Sequence, residues 1–113
     1  MIDKKSKTDD EIVQQKLQTV IDQEGILGYI MRDSKSASVN LKDPTKLIDY
    51  AILSSTAHEI GRSMTESLQM GEVDNIVVES ETTKVLSMDV NNYHVSLFMK
   101  REIDHAKLYK TLA

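Results

Sequence analysis

The stretch Gly71–Lys100, GEVDNIVVES ETTKVLSMDV NNYHVSLFMK, decides the fold. Leu86, Met88 and Val90 alternate with Ser87 and Asp89. Val95, Leu97 and Met99 alternate with Ser96 and Phe98. A period of two is the mark of a strand with two different faces. The stretch therefore reads as three consecutive strands. Glu81-Thr82-Thr83 makes the first turn. Asn91-Asn92 makes the second, a two-residue hairpin, because asparagine tolerates positive φ.

Upstream, Asp43-Pro44 is a helix start, with Asp43 as N-cap and proline at the first helical position. The helical pattern runs to Met70, where Gly71 ends it. Before it, Ile26 to Arg32 is an apolar run broken only by Gly28, a strand buried on both faces. Asp33-Ser34-Lys35-Ser36 is a turn. Ala37 to Leu41 is a weaker strand placed at a sheet edge, since only one of its faces is apolar. Thr8 and Glu11 form a capping box for a first helix over Asp9–Glu24, with Gly25 supplying a left-handed end. Glu102–Leu112 closes the chain as a short helix with Ile103, Leu108 and Leu112 as its stripe. The order is helix, two strands, long helix, three strands, helix. Five antiparallel strands need helices on both sides to bury two apolar faces, so the class is α+β.

The bulk composition narrows the function. The chain has 113 residues, 40% hydrophobic and 28% charged, which fits one domain over 9–113 with a flexible, solvated tail over 1–8. A net charge of -4 with scattered lysines and arginines is a poor match for a phosphate backbone, so no nucleic acid is expected. The absence of cysteine removes disulfides, thiolate metal sites and a cysteine nucleophile, and fits a cytoplasmic location. No apolar run approaches the roughly 18 residues of a membrane helix, so no membrane insertion is expected.

The long helix separates into two bands at 100° per residue. Tyr50, Leu53, Ala57, Ile60, Met64 and Leu68 are expected to pack on the sheet. Beside them lie Leu47, Ala51, Ser54, Ser55, His58, Gly61, Arg62 and Thr65, a band rich in small residues. One reading leaves this band facing water; the other makes it a helix–helix seam across a two-fold axis. The strand Val73–Ser80 supports the seam. Its apolar run Ile76, Val77 and Val78 would be an exposed edge, which proteins cover or pair. Pairing two copies edge to edge would bury both features in a homodimer. If His58 faced its symmetry mate in that seam, acidification would weaken the dimer.

No other motif carries chemistry. His58, His94 and His105 lack metal-ligand spacing, and no glycine spacing resembles a phosphate-cradling loop. Ser54, Ser55 and Ser63 have no nucleophile-elbow context. Glu79 and Glu81 near a turn read as solvated charges. Arg62 could in principle meet a nucleotide phosphate in trans, but a solvated or partner-facing arginine is the commoner case. Catalytic residues, cofactors and metals are accordingly expected to be none.

The Gly25-Ile26-Leu27-Gly28-Tyr29-Ile30-Met31-Arg32-Asp33-Ser34 strand, the Ala57-His58-Glu59-Ile60-Gly61 segment, the entry into Ile76-Val77-Val78-Glu79-Ser80 and the last strand His94-Val95-Ser96-Leu97-Phe98-Met99 together resemble the Roadblock/dynein light chain family. The resemblance spans about residues 11–112. Related longin and profilin-like folds share much of the architecture. It implies a five-stranded antiparallel sheet with the long helix on one face and the two terminal helices on the other. It implies dimers joined through the third strands and the long helices, and a platform for small Ras-like GTPases. Many members carry Asp-x-x-Gly in the first hairpin, where this chain has Asp33-Ser34-Lys35-Ser36. The reading is of a non-enzymatic interaction module. Two other readings stand beside it: a structural subunit without GTPase contact, and a small-molecule sensor on a profilin-like scaffold.

Overall fold

A computed structural model describes residues 9–68 and 75–113, and for residues 9 and 65–68 the backbone only. The elements are α1 (Asp9–Ile21), β1 (Ile26–Arg32), β2 (Ala37–Leu41), α2 (Leu47–Leu68), β3 (Asn75–Glu79), β4 (Thr83–Val90), β5 (Tyr93–Lys100) and α3 (His105–Leu112), with a 3-10 turn at Pro44–Lys46 leading into α2. The order and the α+β class are those expected. The tail 1–8, the Thr8 half of the capping box, the helix end at Met70-Gly71 and the strand start at Val73 lie outside the described residues. Among the described residues no helix is long and apolar enough to cross a membrane.

All five strands are antiparallel, in the order β2-β1-β5-β4-β3. The two edges are thus β2 and β3. The β4–β5 connection is the expected two-residue hairpin, with φ of 47° at Asn91 and 70° at Asn92. Both angles positive match the turn whose twist suits adjoining strands. The β1–β2 turn closes without a glycine. Asp33 Oδ1 accepts from the backbone N–H of Lys35 and of Ser36, each at 2.8 Å, and these bonds hold its carboxyl below the ordinary carboxylate range.

Helix α1 stops three residues short of the expected Glu24. Its chain turns instead through Gln23, whose N–H reaches Val20 O at 3.1 Å. Gly25, at φ +88°, starts the approach to β1 rather than capping the helix. Gly28 sits where β1 shifts register against β5. Its φ is +146°, and a Cβ there would lie 2.4 Å from Asn40 O. No side chain fits that backbone contact, so this position requires glycine. The closing helix begins later than expected, at His105, because Asp104 caps it by accepting from Ala106 N–H at 3.0 Å.

The α1/α3 face of the sheet is the main core. Val13, Leu17, Val20, Leu108 and Leu112 close over Tyr29, Met31, Leu86, Met88, Val95, Leu97 and Met99, all buried. Of these, Leu86, Met88, Val95, Leu97 and Met99 are apolar members of the alternation read from Gly71–Lys100. The other members, Ser87, Asp89, His94, Ser96 and Phe98, therefore face α2.

Candidate interaction surface

Helix α2 lies against the sheet through Tyr50, Leu53 and Ala57 of the expected stripe, joined by Ser54 and Gly61 of the small-residue band. Ala57 is fully buried, beside Ile30, Val85 and Phe98. Tyr50 stacks on Phe98 with ring centroids 4.4 Å apart. Ser54 is also buried and meets Ser96 across the interface, Oγ to Oγ at 2.6 Å. A Cβ on Gly61 would touch Ile76 Cδ1 at 2.6 Å, so this turn of helix lies close over β3. Ser54, Ala57 and Gly61 let the helix backbone come near the strands. The small-residue band thus serves helix–sheet contact, not a helix–helix seam, at Ser54 and Gly61. Ile60 and Met64, expected to pack on the sheet, remain 41% and 40% exposed.

His58 likewise faces its own sheet. Its ring meets His94 edge to face, centroids 4.4 Å apart. His94 on β5 is held from two sides. Its Nδ1 lies 3.2 Å from Asp89 Oδ1, and its Nε2 lies 2.9 Å from Ser87 Oγ. A neutral ring satisfies both, donating from Nδ1 and accepting the serine proton at Nε2. Burial lowers the His94 pKa; Asp89 opposes this, while His58 and Arg32 add to it. These groups, with Asp33 and Asn92, line an open cleft of about 470 Å³ at the hairpin end of the sheet. It holds two carboxylates, one guanidinium and two imidazoles. Among the described residues no group of His, Cys, Asp or Glu could hold a metal ion.

The remaining residues expected at an interface divide by flank. Ala51 and Ser55 are exposed, and Arg62 is tied to Glu59 at 2.7 Å on the surface. That contact also holds the Glu59 carboxyl below its ordinary value. The side chain of Thr65 lies outside the described residues. Gly61 sits over Ile76 of β3 and His58 over His94 of β5. Helical spacing puts Ala51 and Arg62 on the opposite side of α2 from Ile60 and Met64. Ile60 stands beside Gly61, which lies over β3, and Met64 one turn beyond it. Ile48 and Ile52, 73% and 60% exposed, point away from the sheet. These large exposed apolar residues were missed in favour of the small ones. Their spacing, from Ile48 to Ile52 and from Ile60 to Met64 in steps of four, was available in the sequence.

β3 is the edge strand that Ile76, Val77 and Val78 were expected to form. Ile76 and Val78 lean on the α2 side, and Val77 packs against the α1/α3 core. The β3–β4 turn sets which backbone groups stay open. Ser80 N–H reaches Thr83 O at 2.7 Å, so 80 and 83 are a bonded pair. In an antiparallel ladder bonded pairs recur every second residue, making 78 with 85 and 76 with 87 the next. Asn75, Val77 and Glu79 therefore turn their N–H and C=O groups outward. Glu79 also ties to Arg101 at 3.1 Å, which explains one of the two turn carboxylates.

No family model and no curated protein sequence matches the chain. Solved structures do. A Roadblock/LC7 domain from Streptomyces avermitilis superposes with a TM-score of 0.66 at 21% identity, over 95% of this chain and 89% of that one. MglC from Myxococcus xanthus gives 0.58 at 22%, over 88% of each chain. An MglB with a tetrameric arrangement gives 0.63 at 13%, over 94% of this chain and 83% of that one. Identities this low speak to architecture alone, and the architecture is the same from α1 to α3: the chain has the fold of a stand-alone Roadblock/LC7 domain.

Proposed function

We propose that the chain is a non-enzymatic, cytoplasmic module that forms a homodimer and binds or regulates a small Ras-like GTPase. The observation that carries this reading is the juxtaposition of two unfinished surfaces. The β3 edge offers the outward backbone groups of Asn75, Val77 and Glu79, and the α2 flank beside it offers Ile60 and Met64. An open edge is a template for another strand. Large apolar residues next to it supply area that a second copy would bury. A two-fold axis beside β3 would join two sheets and bring two α2 helices together, with Ile52 and Ile48 on the resulting platform. The reading supports dimerisation through Ile60, Met64, Ile76, Val77 and Val78, with Ala51, Ser55 and Arg62 on the far flank of α2. That an MglB of this fold takes a tetrameric arrangement supports self-association.

The GTPase assignment rests on the family resemblance. In this mechanism the platform holds the partner's switch segments in one conformation, and any change in hydrolysis comes from positioning the GTPase's own groups. Capture of Ras-like GTPases from the source genome, loaded in turn with GDP and with a non-hydrolysable GTP analogue, tests it. Retention of one GTPase in one nucleotide state supports regulation. A dimer that retains none in either state favours a structural subunit.

A further inference from the structure

The β2 edge of the sheet is also unfinished, and the spacing of its open groups makes it complementary to itself. Asp33 N–H reaches Ser36 O at 3.0 Å and Lys42 N–H reaches Leu27 O at 3.0 Å. With the register of β1 and β2 these bonds pair residues 38 and 40 inward with 31 and 29. Ala37, Val39 and Leu41 thus turn their N–H and C=O groups away from the sheet, and among the described residues nothing bonds them. Helix α2 leads away from this edge and packs mainly across β3 and β4, which leaves Val39 47% exposed. From Ser36 to Leu41 the edge carries none of the features that keep edges apart: no proline, no charged side chain and no bulge against β1.

In an antiparallel pair, outward residues must meet outward residues. A two-fold axis at Val39 sets Val39 against Val39 and Ala37 against Leu41, so every outward residue of both copies exchanges both of its bonds. A slide by one repeat in either direction leaves one outward residue of each copy beyond the other's strand. The same register suits the side chains. On the α2 side the small Ala37 faces the larger Leu41 and the exposed Val39 meets its mate, while on the other side Ser38 meets Asn40.

Charge agrees with this register. The ends of the edge are mixed in sign, since Lys35 attracts Asp33 and Lys46 attracts Asp43 within one copy. The axis at Val39 sets Lys35 of each copy across from Asp43 of the other, so opposite charges meet at both ends. One slide sets Lys35 against Leu41 and Asp43 against Asp33; the other sets Asp43 against Ala37. Backbone bonding, side-chain size and charge thus select one pairing of this strand with itself.

We propose that β2 pairs antiparallel with β2 of a second copy of this chain, about a two-fold axis at Val39. The junction is small and largely polar, five residues a side, so its dissociation constant falls in the sub-millimolar range, above that of the β3 junction. The inference is separate from the β3 dimer and from the GTPase. Where both junctions form, two-fold axes at the opposite edges β2 and β3 build an open chain of alternating copies.

The probe is the chain itself. Amide spectra and hydrogen exchange of the isotope-labelled Val77→Pro variant, which isolates β2 from β3, are followed from micromolar to millimolar concentration. The same titration on wild type covers any disturbance of β3 by the proline. Saturable, concentration-dependent shifts and slower exchange at Ala37, Val39 and Leu41 are expected. In a mixture of labelled and unlabelled chain, contacts between the Ala37 methyl of one copy and the Leu41 methyls of the other are expected to report the register. Val39→Lys sets two ammonium groups on the axis, and Val39→Pro removes an outward N–H from each copy but no bond to β1. Each is expected to weaken association by about tenfold or more. Lys35→Glu, which brings a carboxylate against Asp43, is expected to weaken it severalfold. The amide spectrum elsewhere reports that the variants fold. Contacts in another register, or association indifferent to both Val39 variants, would overturn the proposal. Amides of Ala37–Leu41 that do not respond up to millimolar concentration would leave the edge to a partner of different sequence and overturn it. Protection there that persists unchanged on dilution would show the chain's own residues covering the edge and overturn it equally.

Discussion

The two faces of this sheet are built on different physics. Under α1 and α3 the contacts are apolar and dry: Leu17, Val20, Leu97, Met99 and Leu112 are essentially without solvent exposure. Under α2 the contact is narrower and mixed. Ala57, Val85 and Phe98 bury fully, but beside them run the Ser54–Ser96 pair and the Ser87–His94–Asp89 chain. Tyr50 and Leu53 pack on this cluster, while four large apolar side chains of α2, Ile48, Ile52, Ile60 and Met64, stay at the surface. One face is spent on holding the domain together. The other holds a helix in place with modest area, so that these four side chains stay available at the surface.

This contrast can be broken at its strong end first. Leu97→Ala removes a fully buried side chain from the dry face and is expected to cost about 3 kcal/mol, read from the urea midpoint. Ile52→Ser, on the outer side of α2, is expected to leave monomer stability within about 0.5 kcal/mol. Equal costs at the two sites would remove the distinction between the faces.

The next effect tests the polar half. Ser54→Ala leaves Ser96 Oγ buried without its partner and is expected to destabilise by about 1–2 kcal/mol, the desolvation cost of an unpaired hydroxyl. Replacing both serines by alanine is expected to cost less than the sum of the single changes, because the pair acts as a unit. Strict additivity in that cycle would show that the hydrogen bond contributes nothing to seating α2.

A smaller effect is expected from pH. Burial lowers the His94 pKa below histidine's ordinary value of 6.5. Below that value the unfolded chain takes up a proton that the folded ring resists, so the unfolded state binds more protons. Stability from this group is complete above about 6.5 and declines as pH falls toward the folded value. Urea unfolding of wild type and His94→Gln across mildly acidic pH checks the sign: the variant's stability should fall less steeply. A wild-type stability that rises on acidification relative to the variant would show that Asp89 outweighs burial.

How much of this was legible follows the same division. The dry face was readable because Leu86, Met88, Val90, Val95, Leu97 and Met99 repeat at the period of a strand. The three hairpin turns, the β2 and β3 edges and the Asp43-Pro44 helix start were readable for similarly local reasons. The α2 face was readable only in part. A helical projection orders residues around an axis but does not fix which angle points at the sheet. Tyr50, Leu53 and Ala57 of the apolar stripe do pack on the sheet, but the close approach allowed by Ser54 and Gly61 brings the small-residue band in as well and leaves Ile60 and Met64 exposed. A signal existed: Ser87 and Ser96 face the same side of neighbouring strands, so polar residues were due on the helix that covers them. Hydrophobic patterning has no means of recognising two buried hydroxyls that satisfy each other.

The claim on which the functional reading turns is that the β3 edge joins two copies. Val77→Pro is suited to it, because the lost N–H points outward and the β3–β4 ladder keeps its bonds. Sedimentation at micromolar concentration, with circular dichroism on the same samples, is the direct measurement. The account predicts a wild-type dimer and a Val77→Pro monomer of unchanged secondary structure. A monomeric wild type, or a folded proline variant that still dimerises, would contradict it.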